Sequence, residues 1–160
     1  MVVHTMRDLL EDLAIEPASA PTRTIYGVPA RGDADAVGLG MLRDVLGQAG
    51  VGLEVASPTL LAAELVGGAR ANGAGVVVVG ALPPGGLAQA RYLCKRLKAE
   101  APGVRIVVAR WGVSEDGAEA ARQALRSAGA DAIGATLAET RDLVLPLATL
   151  EPEVAAGHLA

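Results

Sequence analysis

The chain has 160 residues, 51% of them apolar, and only two tyrosines and one tryptophan are aromatic. Its 14 basic and 18 acidic residues give a net charge of −4, and this charge argues against a nucleic-acid-binding protein, as does the shortage of rings that could stack on bases. The longest apolar run falls well short of the roughly 20 residues of a membrane helix, and there is no signal-peptide pattern, so we expect a soluble, cytoplasmic chain.

The chain divides into four predicted parts. Residues 1–14 form a connector helix, in which Thr5 and Asp8 are a capping pair, and residues 15–23 form a Pro/Ala-rich linker. Residues 24–148 alternate between apolar runs and helical stretches, and residues 149–160 form a tail. The predicted strands are Thr24–Pro29, Leu53–Ala56, Val76–Gly80, Val104–Ala109 and Ala132–Ala135. The predicted helices of this region are Asp35–Ala49, Pro58–Asn72, Leu87–Ala101, Ala118–Ala128 and Leu137–Leu145.

Local signals support several of these helix ends. Ser57 followed by Pro58 is typical of an N-cap and a first-turn proline, and Thr136 with Glu139 is typical of a capping box. Glycines expected just after helix ends are Gly50, Gly103 and Gly129. Five successive β-α units predict an α/β fold, a doubly wound parallel sheet of order 2-1-3-4-5, which is flavodoxin-like.

In such a sheet, ligands bind beyond the carboxyl ends of the strands. The sequence has no glycine-rich phosphate loop there, and Pro83 and Pro84 remove backbone donors that a phosphate would need. A phosphoacceptor receiver domain needs an aspartate at the end of the third strand, where this chain has Val79 and Gly80. Neither chemistry is therefore predicted.

Nucleophilic and metal chemistry also lack support. Cys94 lies in the apolar stripe of a predicted helix, which indicates a buried structural thiol, and Ser114 is typical of an N-cap with no base nearby. A single cysteine excludes a disulfide, and the two histidines, His4 and His158, lie near the termini. We therefore expect no catalytic nucleophile and no metal site.

Two carboxylates, Asp33 and Asp35, follow the first predicted strand. They could act as an acid/base pair, or they could interact with the amino end of the following helix. We expect one aspartate to cap that helix and the other to face a groove beside Gly80 and Trp111, where it would be the better candidate for a ligand contact.

The stretch "DADAVG", residues 33–38, resembles the Asp-x-His-x-x-Gly motif of cobalamin-binding domains, which share this fold and strand order. The resemblance places Asp35 where that family has its cobalt-ligating histidine, and it places Gly80-Ala81-Leu82 where the family has a Ser-x-Leu. The family's glycine pair after the fourth strand is replaced by Ala109 and Arg110, followed by the bulky Trp111. The groove residues implied by the resemblance are Asp33, Asp35, Gly38, Gly80, Ala81, Arg110 and Trp111. Because a carboxylate is not equivalent to a neutral imidazole as a cobalt ligand, no cofactor is expected.

A second resemblance covers residues 76–112, with "GALPPGGLAQARYLCKRL" as its most distinctive part and "GADAIGATLAETRDL" as a further match. This region is similar to the soluble C-terminal region of permeases of the autoinducer-2 exporter family. The resemblance implies a cytosolic domain that belongs to a longer membrane protein, with the helix at residues 9–13 as the remnant of a connector.

Three basic residues, Arg91, Lys95 and Lys98, lie at helical spacing on one side of the third predicted helix of this region, and Arg96 lies nearby. They could form a solvated helix face, or a patch that faces anionic lipid or an acidic partner.

The function expected from these observations is that of a non-enzymatic accessory or regulatory domain of a membrane permease, with a degenerate cobalamin-type groove. Its partners would be the membrane domain of the same permease and further copies of itself. Two alternatives stay open: a corrinoid carrier or sensor without the histidine, and an enzyme that uses Asp33 and Asp35 on a small metabolite.

Overall fold

The computed structural model describes residues 25–113 and 117–149. The predicted connector helix at residues 1–14, the linker at residues 15–23, the cap at Ser114 and most of the tail lie outside the described residues. The described part contains ten elements. The strands are β1 (Ile25–Pro29), β2 (Leu53–Val55), β3 (Val76–Gly80), β4 (Arg105–Ala109) and β5 (Ala132–Gly134). The helices are α1 (Asp33–Gln48), α2 (Ala62–Ala71), α3 (Leu87–Glu100), α4 (Ala118–Ala128) and α5 (Leu137–Thr149).

The five strands form one parallel sheet in the order β2-β1-β3-β4-β5, so the predicted topology is confirmed. The side chains of β1 and β3 are buried throughout, as expected for central strands that are covered on both faces. One apolar cluster lies between the sheet and α2, α3 and α4, and a second lies between the sheet and α1 and α5. The strand order reverses between β1 and β3, so the loops that follow these two strands meet at the carboxyl edge.

Helix α2 begins four residues later than predicted, at Ala62 instead of Pro58. The Ser57 hydroxyl accepts a hydrogen bond from the backbone N–H of Thr59 at 3.2 Å, so it stabilises a turn and does not cap a helix. The carboxylate of Glu64 instead accepts the backbone N–H of Leu61 at 2.8 Å, at the observed start of the helix. The predicted cap at Ser57 was therefore wrong.

Helix α5 starts as predicted and ends later. The backbone N–H of Glu139 donates to Thr136 Oγ1 at 3.0 Å, so the predicted cap at Thr136 is confirmed. The Glu139 carboxylate accepts the N–H of Ala135 at 2.7 Å, one residue before the N–H that a capping box uses. The helix continues through Pro146 to Thr149, beyond the predicted end at Leu145. Val144 and Ala148, one turn apart, are both fully buried, and this burial favours the extra turn.

Two of the three glycines expected at helix ends have the left-handed backbone that this position needs. Gly50 has φ 82° and Gly129 has φ 122°. Gly103 does not have a positive φ, because α3 ends at Glu100 and the chain already turns to a more extended conformation at the next residue, Ala101, with φ −143°.

Candidate functional site

The carboxylate of Asp35 connects two loops at the carboxyl edge of the sheet. Its side chain is buried, with 3% exposed. Oδ2 accepts the backbone N–H of Arg31 at 3.0 Å, and Oδ1 accepts the backbone N–H of Leu82 at 2.8 Å. Because both oxygens bind backbone donors, Asp35 ties the loop after β1 to the loop after β3. We call these two hydrogen bonds the Asp35 latch.

Asp33 has a different environment. It is exposed in the first turn of α1, and no hydrogen bond or ion pair joins it to the described residues. It lines a shallow surface hollow together with Arg31 and Asp35. The expected division of roles, with one aspartate as cap and the other facing the groove beside Trp111, is therefore not what the structure shows. Asp35 alone makes the backbone contacts, and Asp33 faces solvent.

The space above Gly38 is filled by two large side chains. A methyl group built on Gly38 would lie 2.9 Å from Leu82 Cδ1 and 3.4 Å from the Trp111 ring. Gly80 is equally close-packed, since a methyl group there would lie 3.0 Å from Leu39 Cγ. The glycines therefore allow close packing of α1, Leu82 and Trp111, and no open groove remains above Gly38.

Trp111 is held in place by a polar contact that the sequence did not reveal. Its Nε1–H donates to Thr140 Oγ1 at 2.8 Å, and the Thr140 hydroxyl in turn donates to the backbone carbonyl of Thr136 at 2.7 Å. Thr140 is fully buried on α5. A buried indole N–H needs an acceptor, which is the only signal that could have suggested such a residue.

Two arginines hold the loop at residues 81–86. Arg31 Nη2 donates to the carbonyl of Pro84 at 2.6 Å, and Arg110 Nη1 donates to the carbonyls of Ala81 and Gly85 at 2.9 and 2.8 Å. Burial lowers the pKa of Arg110, the positive charge of Arg31 lowers it further, and the Asp35 carboxylate opposes the shift. Arg110 was predicted as a groove residue, and Arg31 was missed. The structure brings both together with Asp35 around Ala81.

The four cations of α3 do not share one environment; they are Arg91, Lys95, Arg96 and Lys98. Arg96 Nη2 lies 2.6 Å from the Glu100 carboxylate, whereas Lys98 Nζ lies 3.3 Å from the Asp131 carboxylate, in the loop before β5. Arg91 and Lys95 are exposed, and no ion pair joins either of them to a described residue. Two of the four positive charges are therefore paired, which weakens the case for a single basic surface.

Cys94 is expected to be chemically inert in the native protein. It is fully buried in α3, and burial, followed by the nearby Asp131 carboxylate, raises the pKa of its thiol to about 12, with Lys98 opposing the shift. The thiolate is the form of cysteine that reacts with disulfides. A colorimetric disulfide reagent should therefore release no coloured thiolate from the native protein at neutral pH, and one equivalent per chain in denaturant. Fast stoichiometric release from the folded protein would contradict this assignment.

Within residues 25–113 and 117–149, no three acidic, histidine or cysteine side chains are grouped closely enough to hold a metal ion. No helix within the same residues has the length and hydropathy needed to cross a membrane.

Several solved structures have a fold similar to that of this chain. A cobalamin-binding protein from Desulfitobacterium hafniense superposes with a TM-score of 0.62 and 15% identity over 78% of this chain, and the monomethylamine corrinoid protein of Methanosarcina barkeri with 0.62 and 21% over 91%. The fold is flavodoxin-like. A putative response regulator from Chloroflexus aurantiacus matches with a TM-score of 0.57 and 22% identity over 79% of the chain and 97% of the regulator. The predicted cobalamin-binding-like, doubly wound architecture is therefore confirmed.

These likenesses concern the fold alone, since each identity is below 25%. The chain spans 59% of the length of the first protein and 66% of the second. No protein-family model matches the sequence, and neither does any curated protein. The permease connection thus rests on the sequence resemblance of residues 76–112 and 129–143 alone.

Proposed function

We propose that this chain is a non-enzymatic regulatory or accessory domain that has the flavodoxin-like fold of cobalamin-binding domains but does not hold a corrinoid. Its carboxyl edge serves as a fixed structural platform. The observation that carries this proposal is the Asp35 latch, because it occupies the position at which the resembling family has its cobalt ligand.

The Asp35 carboxylate has no oxygen left without a backbone donor. Each oxygen accepts one N–H, from Arg31 and from Leu82. Moving this side chain toward a ligand would leave two backbone donors unpaired in a partly buried region, which is unfavourable. The exposure of the second carboxylate also disfavours an acid/base role, because Asp33 faces solvent and no hydrogen bond joins it to Asp35.

The packing above Gly38 supports the same conclusion. The bulky Trp111, which follows the position of the resembling family's glycine pair, packs over Gly38, and the hydrogen bond to Thr140 fixes the indole there. The residues present do not fit a cobalamin, in ligand chemistry or in shape.

Hydroxocobalamin is therefore expected not to bind. We expect no change in its corrin absorbance on titration with the protein, and no coloured band that co-elutes with the protein in size-exclusion chromatography. The variant Asp35→His should also fail to bind, because Leu82 and Trp111 still fill the space above Gly38. Stoichiometric binding by the unsubstituted chain would overturn the proposal. Binding by Asp35→His alone would show that the groove is open and that only the ligand was lost.

We also propose that the domain belongs to a membrane permease, with the permease's membrane domain and further copies of this domain as partners. Support comes from the sequence resemblance, whose most distinctive part contains the loop at residues 81–86. That loop is held through its backbone groups by the Asp35 latch and by Arg31 and Arg110, so its position at the carboxyl edge is fixed. Reading the genomic sequence upstream of Met1 tests this point: in-frame hydrophobic spans support it, and an unrelated or absent upstream frame contradicts it.

A further inference from the structure

A second cavity, of about 390 Å³, lies at the carboxyl edge on the opposite side of the sheet from Trp111. Its apolar wall comes from α4 and β5, with Leu125 and Ile133 as the largest members. Arg110, Arg122 and Glu119 add charged groups to the lining. Its volume is within the range typical of small-molecule sites.

Arg110 enters this cavity with its orientation already fixed. Nη1 holds the carbonyls of Ala81 and Gly85. Nε is completely buried and has no acceptor among the residues that the structure describes. Nη2 has no hydrogen bond to any described residue. Among the described contacts of Arg110, Nη2 is therefore the donor group that remains for a ligand, on a guanidinium that two backbone carbonyls already hold in place.

Arg122 supplies the second positive charge. It projects from α4, is half-buried, and forms no ion pair or hydrogen bond with the described residues. Glu119, on the same helix, also lines the cavity, and its carboxylate accepts only a long hydrogen bond of 3.4 Å from Gln123 Nε2. The cavity thus has two cations and one anion, for a net charge of about +1 from these three side chains at neutral pH.

This charge balance distinguishes among anions. A dianionic phosphate monoester carries more negative charge than the net charge of about +1 from these three side chains neutralises. A single carboxylate matches the net charge, and guanidinium groups bind carboxylates through paired N–H donors. The apolar wall can then pack against a short hydrocarbon chain of the same ligand.

We propose that this cavity binds a small organic carboxylate with an apolar body, whose carboxylate group pairs with Arg110 Nη2 and with Arg122. This inference goes beyond the proposed function, because it concerns a different cavity on the other side of the sheet. It does not depend on whether the chain binds a corrinoid.

The test uses 4-methylpentanoate as the probe and the neutral 4-methylpentanamide as its matched analogue, titrated into ¹⁵N-labelled protein. We expect saturable amide shifts for residues 110, 122 and 133–135 with the carboxylate, and none with the amide. Arg122→Met should weaken carboxylate binding about tenfold or more, as expected for loss of a charge-assisted contact. Arg126→Met, on an exposed position of the same helix, is the control and should leave the affinity unchanged.

Three results would overturn the proposal: no saturable shift with the carboxylate, equal binding of the carboxylate and the amide, or an affinity that Arg122→Met leaves unchanged. The comparison of acid with amide needs no substitution, so it decides the matter even if a variant is unstable. Because hydroxocobalamin binding is measured separately, failure of this proposal and failure of the proposed function give different patterns of results.

Discussion

Replacing Asp35 with alanine is expected to lower the free energy of unfolding by about 3 kcal/mol, a large part of the stability of a domain of this size. The carboxylate is 3% exposed and accepts the backbone N–H groups of Arg31 and Leu82. Alanine would leave both donors without this acceptor and would remove the connection that Asp35 makes between the loops after β1 and β3. Urea denaturation followed by circular dichroism measures the change.

The neighbouring aspartate provides the control for this prediction. Asp33 is exposed and has no hydrogen bond to the described residues, so Asp33→Ala should change the free energy of unfolding by no more than about 0.5 kcal/mol. The loss of unfolding free energy in Asp35→Asn should lie between those of Asp35→Ala and Asp33→Ala. The amide oxygen can accept one of the two backbone N–H groups, but the amide NH2 would face the other backbone N–H. Equal effects of alanine at the two positions would show that the latch has no special energetic role.

Replacing Trp111 with alanine is expected to cost about 3 kcal/mol as well, for a different reason. The indole fills the space between Gly38 and α5, and its N–H donates to Thr140 Oγ1 at 2.8 Å. Its removal leaves a void beside Leu82 and removes contacts that join α1 to α5. Thermal and urea unfolding of the variant give the size of the effect.

Two milder variants separate the packing contribution from the hydrogen bond. Trp111→Phe keeps most of the ring volume and loses the donor, so it should cost only about 1 kcal/mol. Thr140→Val removes the acceptor and should have a similarly small effect that does not add fully to that of Trp111→Phe. If Trp111→Ala were no more destabilising than Trp111→Phe, the ring would not be filling the space above Gly38.

The fold could be predicted because each local signal pointed to the same arrangement. The apolar runs at Val76–Gly80 and near Val104–Ala109 have the length and β-branched content of buried strands, and helical stretches separate them at regular intervals. The main error, at the start of α2, came from Ser57, whose hydroxyl stabilises a turn with Thr59 as readily as it caps a helix.

The candidate site was only partly predictable. The motif comparison placed Asp35, Gly38, Gly80 and Arg110 at one edge of the sheet, and the structure brings them there. The sequence around Asp35 did not show that its carboxylate accepts the N–H of Leu82, 47 residues away. That contact depends on how the loops after β1 and β3 are positioned relative to each other. Thr140 was missed for the same reason, because its partner Trp111 is 29 residues distant.

The most direct test of the Asp35 latch is the hydrogen-exchange rate of the Leu82 amide, measured by NMR in the unsubstituted protein and in Asp35→Ala. Leu82 lies outside any helix or strand, and the described residues offer its N–H one acceptor, Asp35 Oδ1 at 2.8 Å. We predict an amide that exchanges far more slowly than an unstructured peptide, with this protection lost in Asp35→Ala while the amides of β3 stay protected. Fast exchange of Leu82 in the unsubstituted protein, or unchanged protection in folded Asp35→Ala, would contradict the account.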